Sequence, residues 1–307
     1  MHFDSLPASE LELESIGALA YGLYLHRALS GRRNIATPLV SVFTPTYRTG
    51  ERIERTYRSL QDQTYTNWEW TVVDDSDDGG VTLARLARIA ATEPRLQIHP
   101  CFRRSGKIGE VKRRACALSR GEILVELDHD DELTPNALDD IVEAFASDPE
   151  LGFAYSDGAE VSEETGSPLR YPDGWAFGHG RYRSEIYRGR ELLVAVAPPI
   201  NADTIRHIVG VPNHVRAWRT SSYWQIGGHN PDLHVADDYE LLVRTFLQSS
   251  MVRIPKLCYI QYLQSGTNTQ DLRRAEIQRL VQSIAAFYES RIQTRLEELG
   301  LSAPSTR

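Results

Sequence analysis

Short apolar runs alternate with helical stripes along most of the chain. Residues 39–44 (LVSVFT), 69–73 (EWTVV), 96–99 (LQIH) and 122–127 (EILVEL) read as strands, the last largely buried on both faces. Between them, 51–61 places Ile53, Tyr57 and Leu60 on one helical face, and 81–91 and 107–119 are helical as well. Strands that alternate with helices of about 10 to 15 residues imply parallel pairing through right-handed crossovers. The pattern therefore predicts an α/β, Rossmann-like fold, a mostly parallel central sheet flanked by helices. A helix over 136–147 and a strand over 151–156 continue it, after which 157–207 loses periodicity. That stretch is rich in Gly, Pro, Arg and Tyr, so it reads as an excursion from the sheet whose aromatic side chains pack or touch a ligand. The chain returns to the core at 209–212 and around 216–219, turns at Gly227-Gly228, and starts a helix at 234–240. One or two strands follow over 251–260, then a long amphipathic helix over 272–296 and a frayed tail. At the other end, Leu13, Ile16, Leu19, Ala20 and Leu23 form a stripe that predicts a helix docked on the main domain, with a linker over 31–38. The expected organisation is a helical extension over 1–36, a main domain over 37–265, and a C-terminal helix and tail over 266–307.

Composition narrows the partners. A formal charge of -8, with 25% charged and 41% hydrophobic residues, argues against broad electrostatic binding to nucleic acid or to an anionic membrane. Cys101, Cys116 and Cys258 form no CxxC pair and suggest neither a zinc site nor a disulfide framework, which fits a reducing compartment. The sequence shows no membrane span and no signal peptide, so a cytoplasmic location is expected. Peripheral contact with a membrane, and homo-oligomer formation through the terminal helices, stay open.

The chemistry is expected around 121–135 (GEILVELDHDDELTP), where an apolar strand runs into Asp128, His129, Asp130, Asp131 and Glu132. Open α/β sheets place their ligand crevice at the C-terminal ends of strands. Negative charge concentrated there is costly unless a cation or hydrogen-bond donors answer it, and a divalent metal would answer it well. The alternative is a solvated acidic turn capping the helix that Thr134-Pro135 announces. Two more strand ends carry polar residues, Thr44-Pro45-Thr46-Tyr47 and Asp74-Asp75-Ser76-Asp77-Asp78, and in a parallel sheet all three surround one crevice.

These residues carry a likeness. The blocks VSVFTPTYRTGERIERTYRSLQDQTYTNWEWTVVDDSDDG, GEILVELDHDDELTPNAL and IGGHNPDLHVADDYELLVR resemble the family 2 glycosyltransferases, with their GT-A nucleotide-diphospho-sugar transferase fold, over about 39–262. The resemblance implies transfer of a sugar from a nucleoside diphosphate, most often UDP, to an acceptor hydroxyl with inversion at the anomeric carbon. The acceptor would be a glycan, free, lipid-linked or protein-linked. A nucleotide-binding half over 37–135 and an acceptor-binding half over 136–265 are implied, with acceptor contacts near 170–190 and 207–214.

By the same likeness, Pro45, Thr46 and Tyr47 line the nucleoside pocket, and Asp74 or Asp75 accepts from base or ribose; a carboxylate suits a pyrimidine N–H or a hydroxyl. Lys107 or Arg113 would contact the donor's base or phosphate. The family's D-x-D falls on Asp128, Asp130 and Asp131, with Asp130 on ribose or metal, Asp131 on metal and Asp128 in support. Hard carboxylate oxygens suit Mg2+ or Mn2+. Asp237-Asp238 matches the acidic pair that supplies the base, Asp238 being the member implied; both could otherwise simply favour a helix N-terminus. Relatives often carry a histidine after the base helix that touches metal or diphosphate. Here the corresponding run has Gln261 and Gln264 but no histidine. GxxxxGK[ST], GxGxxG after the first strand and GxSxG are absent, against a P-loop kinase, a dinucleotide dehydrogenase and a serine hydrolase. The non-enzyme rival is a degenerate nucleotide-sugar-binding scaffold, which predicts loss of acids that this chain retains.

Overall fold

A sheet of ten strands organises the computed structural model, which describes residues 37–208, 210–264 and 272–301. The expected N-terminal helix within 4–30 lies outside the described residues. The strands are β1 (Val40–Thr46), β2 (Trp68–Asp74), β3 (Leu96–Pro100), β4 (Ile123–Glu126), β5 (Glu132–Leu133), β6 (Leu151–Ser162), β7 (Arg181–Tyr187), β8 (Arg190–Val196), β9 (Arg216–Arg219) and β10 (Ser250–Leu263). The helices are α1 (Ile53–Gln61), α2 (Val81–Ala90), α3 (Ile108–Leu118), α4 (Ala137–Ser147), α5 (Thr204–His207), α6 (Thr220–Gln225), α7 (Asp237–Gln248) and α8 (Arg274–Glu298).

Strand order is β3-β2-β1-β4-β9-β6-β10-β5. The first four strands pair in parallel, as their crossover helices require. Beyond β4 the sheet is mixed: β9 runs antiparallel to both β4 and β6, β10 is parallel to β6, and β5 is antiparallel to β10. Every residue of β1, β2 and β4 is buried, the mark of strands covered on both faces. With side chains alternating between faces, Val40, Val42, Trp70, Val72, Ile123 and Val125 face one core with α1, α2 and α4, while Phe43, Val73, Leu124, Phe153 and Trp218 face the other with α3, α6 and α7. The C-terminal helix packs Leu280, Val281, Ile284 and Tyr288 against Tyr239, Val243 and Phe246 of α7. Among the described residues no helix is long and apolar enough to cross a membrane.

The aperiodic stretch resolves into order. β6 runs to Ser162, twice the expected length, because its second half pairs with β10, and β7 and β8 form a hairpin paired to it through β8. The hairpin turns on Arg188 and Gly189, both at positive φ (48° and 76°), the backbone of a two-residue turn that matches strand twist. Its strands escape a hydrophobic pattern because RYRSEIY is exposed or half-exposed throughout.

Candidate active site

The polar strand ends do meet. Thr46 and Asp74 are register partners at the ends of β1 and β2, and Thr46 Oγ1 donates to Asp74 Oδ1 at 3.0 Å. The same oxygen accepts Ser76 N–H (3.1 Å) and Ser76 Oγ–H (2.6 Å). Asp75 accepts the backbone N–H of Ser105 (2.6 Å) and Gly106 (2.9 Å), tying the loop after β3 to the end of β2. Pro45 and Thr46 are buried in β1, whereas Tyr47 is 37% exposed, with the guanidiniums of Arg104 and Arg48 at 4.7 and 5.3 Å from its ring centre. The ring forms one wall of an open, guanidinium-flanked shelf.

The two expected donor cations each have a partner within the chain. Lys107 pairs with Asp232 at 2.7 Å on the surface, and Arg113 donates to the carbonyls of Gly227 and His229. Both clamp the start of the α3 region to the 227–232 loop. The residue of that helix turned into the site is Lys112, because α3 buries the face carrying Gly109, Val111, Lys112, Ala115 and Cys116.

In the acidic turn the carboxylates divide into inward and outward sets. Asp131 is buried, its Oδ2 accepting the Tyr259 hydroxyl and its Oδ1 the Tyr262 N–H, both at 2.8 Å. Burial, then repulsion from Asp130 and Asp128, pushes its carboxyl well above the ordinary range. Asp131, expected as a metal ligand, is thus turned inward and held by β10 donors. Asp128 and Asp130 are the outward pair, with side chains 27% and 25% exposed. Asp130 Oδ2 lies 3.4 Å from Arg52, and its carbonyl accepts from Arg55 at 3.0 Å. His129 holds Thr49 Oγ1 at 2.9 Å through Nδ1, and Glu132 turns into β5 to take the Tyr187 and Tyr262 hydroxyls. Among the described residues, no three His, Cys, Asp or Glu side chains could hold a metal by themselves. Two outward carboxylates nevertheless fit Mg2+ or Mn2+, which take one or two protein carboxylates and complete their shells with phosphate and water.

Behind this turn lies a buried charge cluster that sequence reasoning missed. Glu126, at the end of β4, is fully buried with Lys112 Nζ at 2.6 Å. Lys112 also lies 3.4 Å from Asp237, and Arg216 of β9 lies 3.6 Å from Glu126 and 3.1 Å from Asp238. Burial opposes both ions of the first pair, but Asp237 and Glu126 keep Lys112 well above its usual value, and Lys112 keeps Glu126 well below the carboxylate range. Asp237 is pushed up to about 6 by burial, with Lys112 opposing and Asp238 and Glu126 adding to the rise. Ala236, at φ 56°, turns the chain into α7, so Asp237 points inward while Asp238 stays 22% exposed and accepts the Tyr239 N–H at 2.7 Å. The one signal for Glu126 was an acid inside an apolar run, two residues before Asp128.

The glycosyl transferase family 2 model matches residues 41–197. Chondroitin synthase of Escherichia coli is 27% identical over 244 residues, 79% of this chain, which spans 31% of that relative's length. Among solved structures, S. aureus TarS 1-349 in complex with UDP-GlcNAc superposes with a TM-score of 0.57 at 18% identity, covering 83% of this chain and 72% of that one. The mannosyltransferase PcManGT of Pyrobaculum calidifontis, in complex with GDP-Man and Mn2+, gives 0.54 at 20% identity, covering 91% and 75%. The described residues thus have the GT-A fold.

Proposed function

Given that this chain belongs to glycosyl transferase family 2, we propose that it is a glycosyltransferase that moves a sugar, with inversion, from a nucleoside diphosphate to a hydroxyl of a glycan or glycoconjugate. UDP-sugars are the first donors to test. The observation that supports this reading best is the pairing of outward carboxylates on separate segments, Asp128 after β4 and Asp238 at the start of α7, joined beneath by Glu126 and Arg216. The reading has Asp238 take the acceptor's proton as its oxygen attacks the anomeric carbon from the face opposite the departing diphosphate. Arg216 fixes the carboxylate's direction, and the α7 N-terminus favours its charge. Asp74 and Asp75 are fixed by Thr46, Ser76, Ser105 and Gly106, so they meet a nucleoside with little reorganisation. Tyr47 offers the base a stacking face. When bound, Mn2+ or Mg2+, held by Asp128 and Asp130, supplies charge neutralisation to the leaving diphosphate.

The test is calorimetric titration with UDP, GDP, CDP and dTDP, each with Mn2+ and with chelator, beside Asp130→Ala. Metal-dependent binding of one nucleotide, lost in the variant, is expected, and the donor search then narrows to sugars of that nucleotide. A folded protein that binds none of the four is a scaffold, and the proposal fails.

A further inference from the structure

The run after α7 offers glutamines where relatives often place a metal-touching histidine, yet an imidazole stands at the floor of the crevice from another part of the chain. His214, two residues before β9, is 8% exposed, and neither ring nitrogen has a hydrogen-bond partner. Burying a polar ring with both nitrogens unanswered is costly. Its plane is fixed by stacking on Tyr259, with ring centres 4.7 Å apart and an angle of 19°. That tyrosine accepts the Asp128 N–H at 3.1 Å and donates to Asp131, so ring and acidic turn form one assembly.

His214 Nε2 lies 3.9 Å from Asp128 Oδ2 and 3.9 Å from Glu126 Oε2. Neither distance is a hydrogen bond. Divalent ions bond imidazole nitrogen or carboxylate oxygen at about 2.1 Å, so two such donors on one ion lie from about 3 Å apart when adjacent to about 4 Å when opposite. Glu126 is sealed from solvent and answered by Lys112 and Arg216, whereas Asp128 opens to the crevice. We propose that His214 Nε2 and Asp128 Oδ2 share the divalent cation of the donor site, His214 replacing in space the histidine that is missing in sequence. This rests on the metal-dependent donor reading above. A nitrogen ligand disfavours Mg2+, which demands hard oxygens, and so turns the site toward Mn2+.

The test is pulsed electron paramagnetic resonance of Mn2+ on the full chain with UDP, and separately with GDP. The expected result is a directly bound 14N coupling that converts to the 15N pattern when the protein is labelled with 15N-histidine. It should vanish in His214→Gln and persist in His129→Gln. Mn2+ affinity should fall about tenfold in His214→Gln, the lower end of what altering the surroundings of a metal site costs, while Mg2+ affinity changes less. Bound Mn2+ with no histidine coupling in the parent protein, or a coupling that survives His214→Gln, overturns the assignment and leaves the metal reading intact. Failure of the parent protein to bind Mn2+ with either nucleotide overturns both. Should His214→Gln not fold by circular dichroism, the 15N-histidine comparison in the parent protein and in His129→Gln decides the matter alone.

Discussion

Arg216 donates to Asp238 at 3.1 Å while the same nitrogen lies 3.6 Å from Glu126. One buried guanidinium on an antiparallel strand therefore joins the end of β4 to the start of α7. The outward acids of the turn and of the helix are aligned by this hidden ion rather than by contact with each other.

Asp238→Asn keeps the shape of the side chain and removes its ability to accept a proton. Transfer should fall about a thousandfold, within the range ascribed to a positioned general base, while calorimetric nucleotide binding stays within about twofold of the parent. A rate near the parent's would remove Asp238 from the role of base.

Arg216→Met deletes the cation but keeps much of its volume, leaving Glu126 with Lys112 and breaking the ion pair of Asp238. Breaking a buried ion network from one side costs about 3 kcal/mol, readable as a lower urea midpoint at unchanged slope. Arg216→Lys should recover part of that loss. Equal stability of the methionine variant and the parent would show that the network carries no net energy.

Asp131 and Asp130 should separate stability from binding. Asp131→Ala strips the acceptor from Tyr259 O–H and Tyr262 N–H in the interior, at a cost of about 2 to 4 kcal/mol for two orphaned donors. Asp130→Ala sits on the half-exposed turn and should cost less than about 1 kcal/mol, yet abolish metal-dependent nucleotide binding. The two thermal melts, beside the two titrations, show whether the acids divide this way.

Asp237 gives a pH signature. Its folded value of about 6 lies above the ordinary 3.8, so between those pH values the folded state holds a proton that the unfolded chain has released. Stability from this group therefore falls as pH rises from about 4 to 6, by about 3 kcal/mol in all. Asp237→Asn removes the group, and the difference between parent and variant melting curves should grow through that window and level off above it. A difference that does not vary with pH would place the Asp237 proton elsewhere.

Much of this arrangement was legible from residue patterns. The ends of β1, β2 and β4 were placed together because apolar runs alternating with helical stripes leave few topologies open, and the segment holding Asp237 and Asp238 was assigned to a helix start. Asp131 could not be told from Asp130, because its inward turn depends on donors from β10, whose Tyr259 lies 128 residues further on. Glu126 was absorbed into an apolar run, since a buried acid is intelligible only once Lys112 and Arg216 are seen beside it. Lys107 and Arg113 were singled out by their flanking sequence, whereas Lys112, on the buried face of α3, became legible only beside Glu126 and Asp237. The β7–β8 hairpin stayed hidden because solvent-facing Arg and Glu interrupt the alternation that identifies a strand.

β9 has two tasks in the sheet. Without Arg216–Arg219, β4 would present a bare edge of unpaired N–H and C=O groups, a template for foreign strands. The strand that covers this edge also brings Arg216 to Asp238, 22 positions further on. One short strand thus both seals the sheet and carries the cation that holds Asp238.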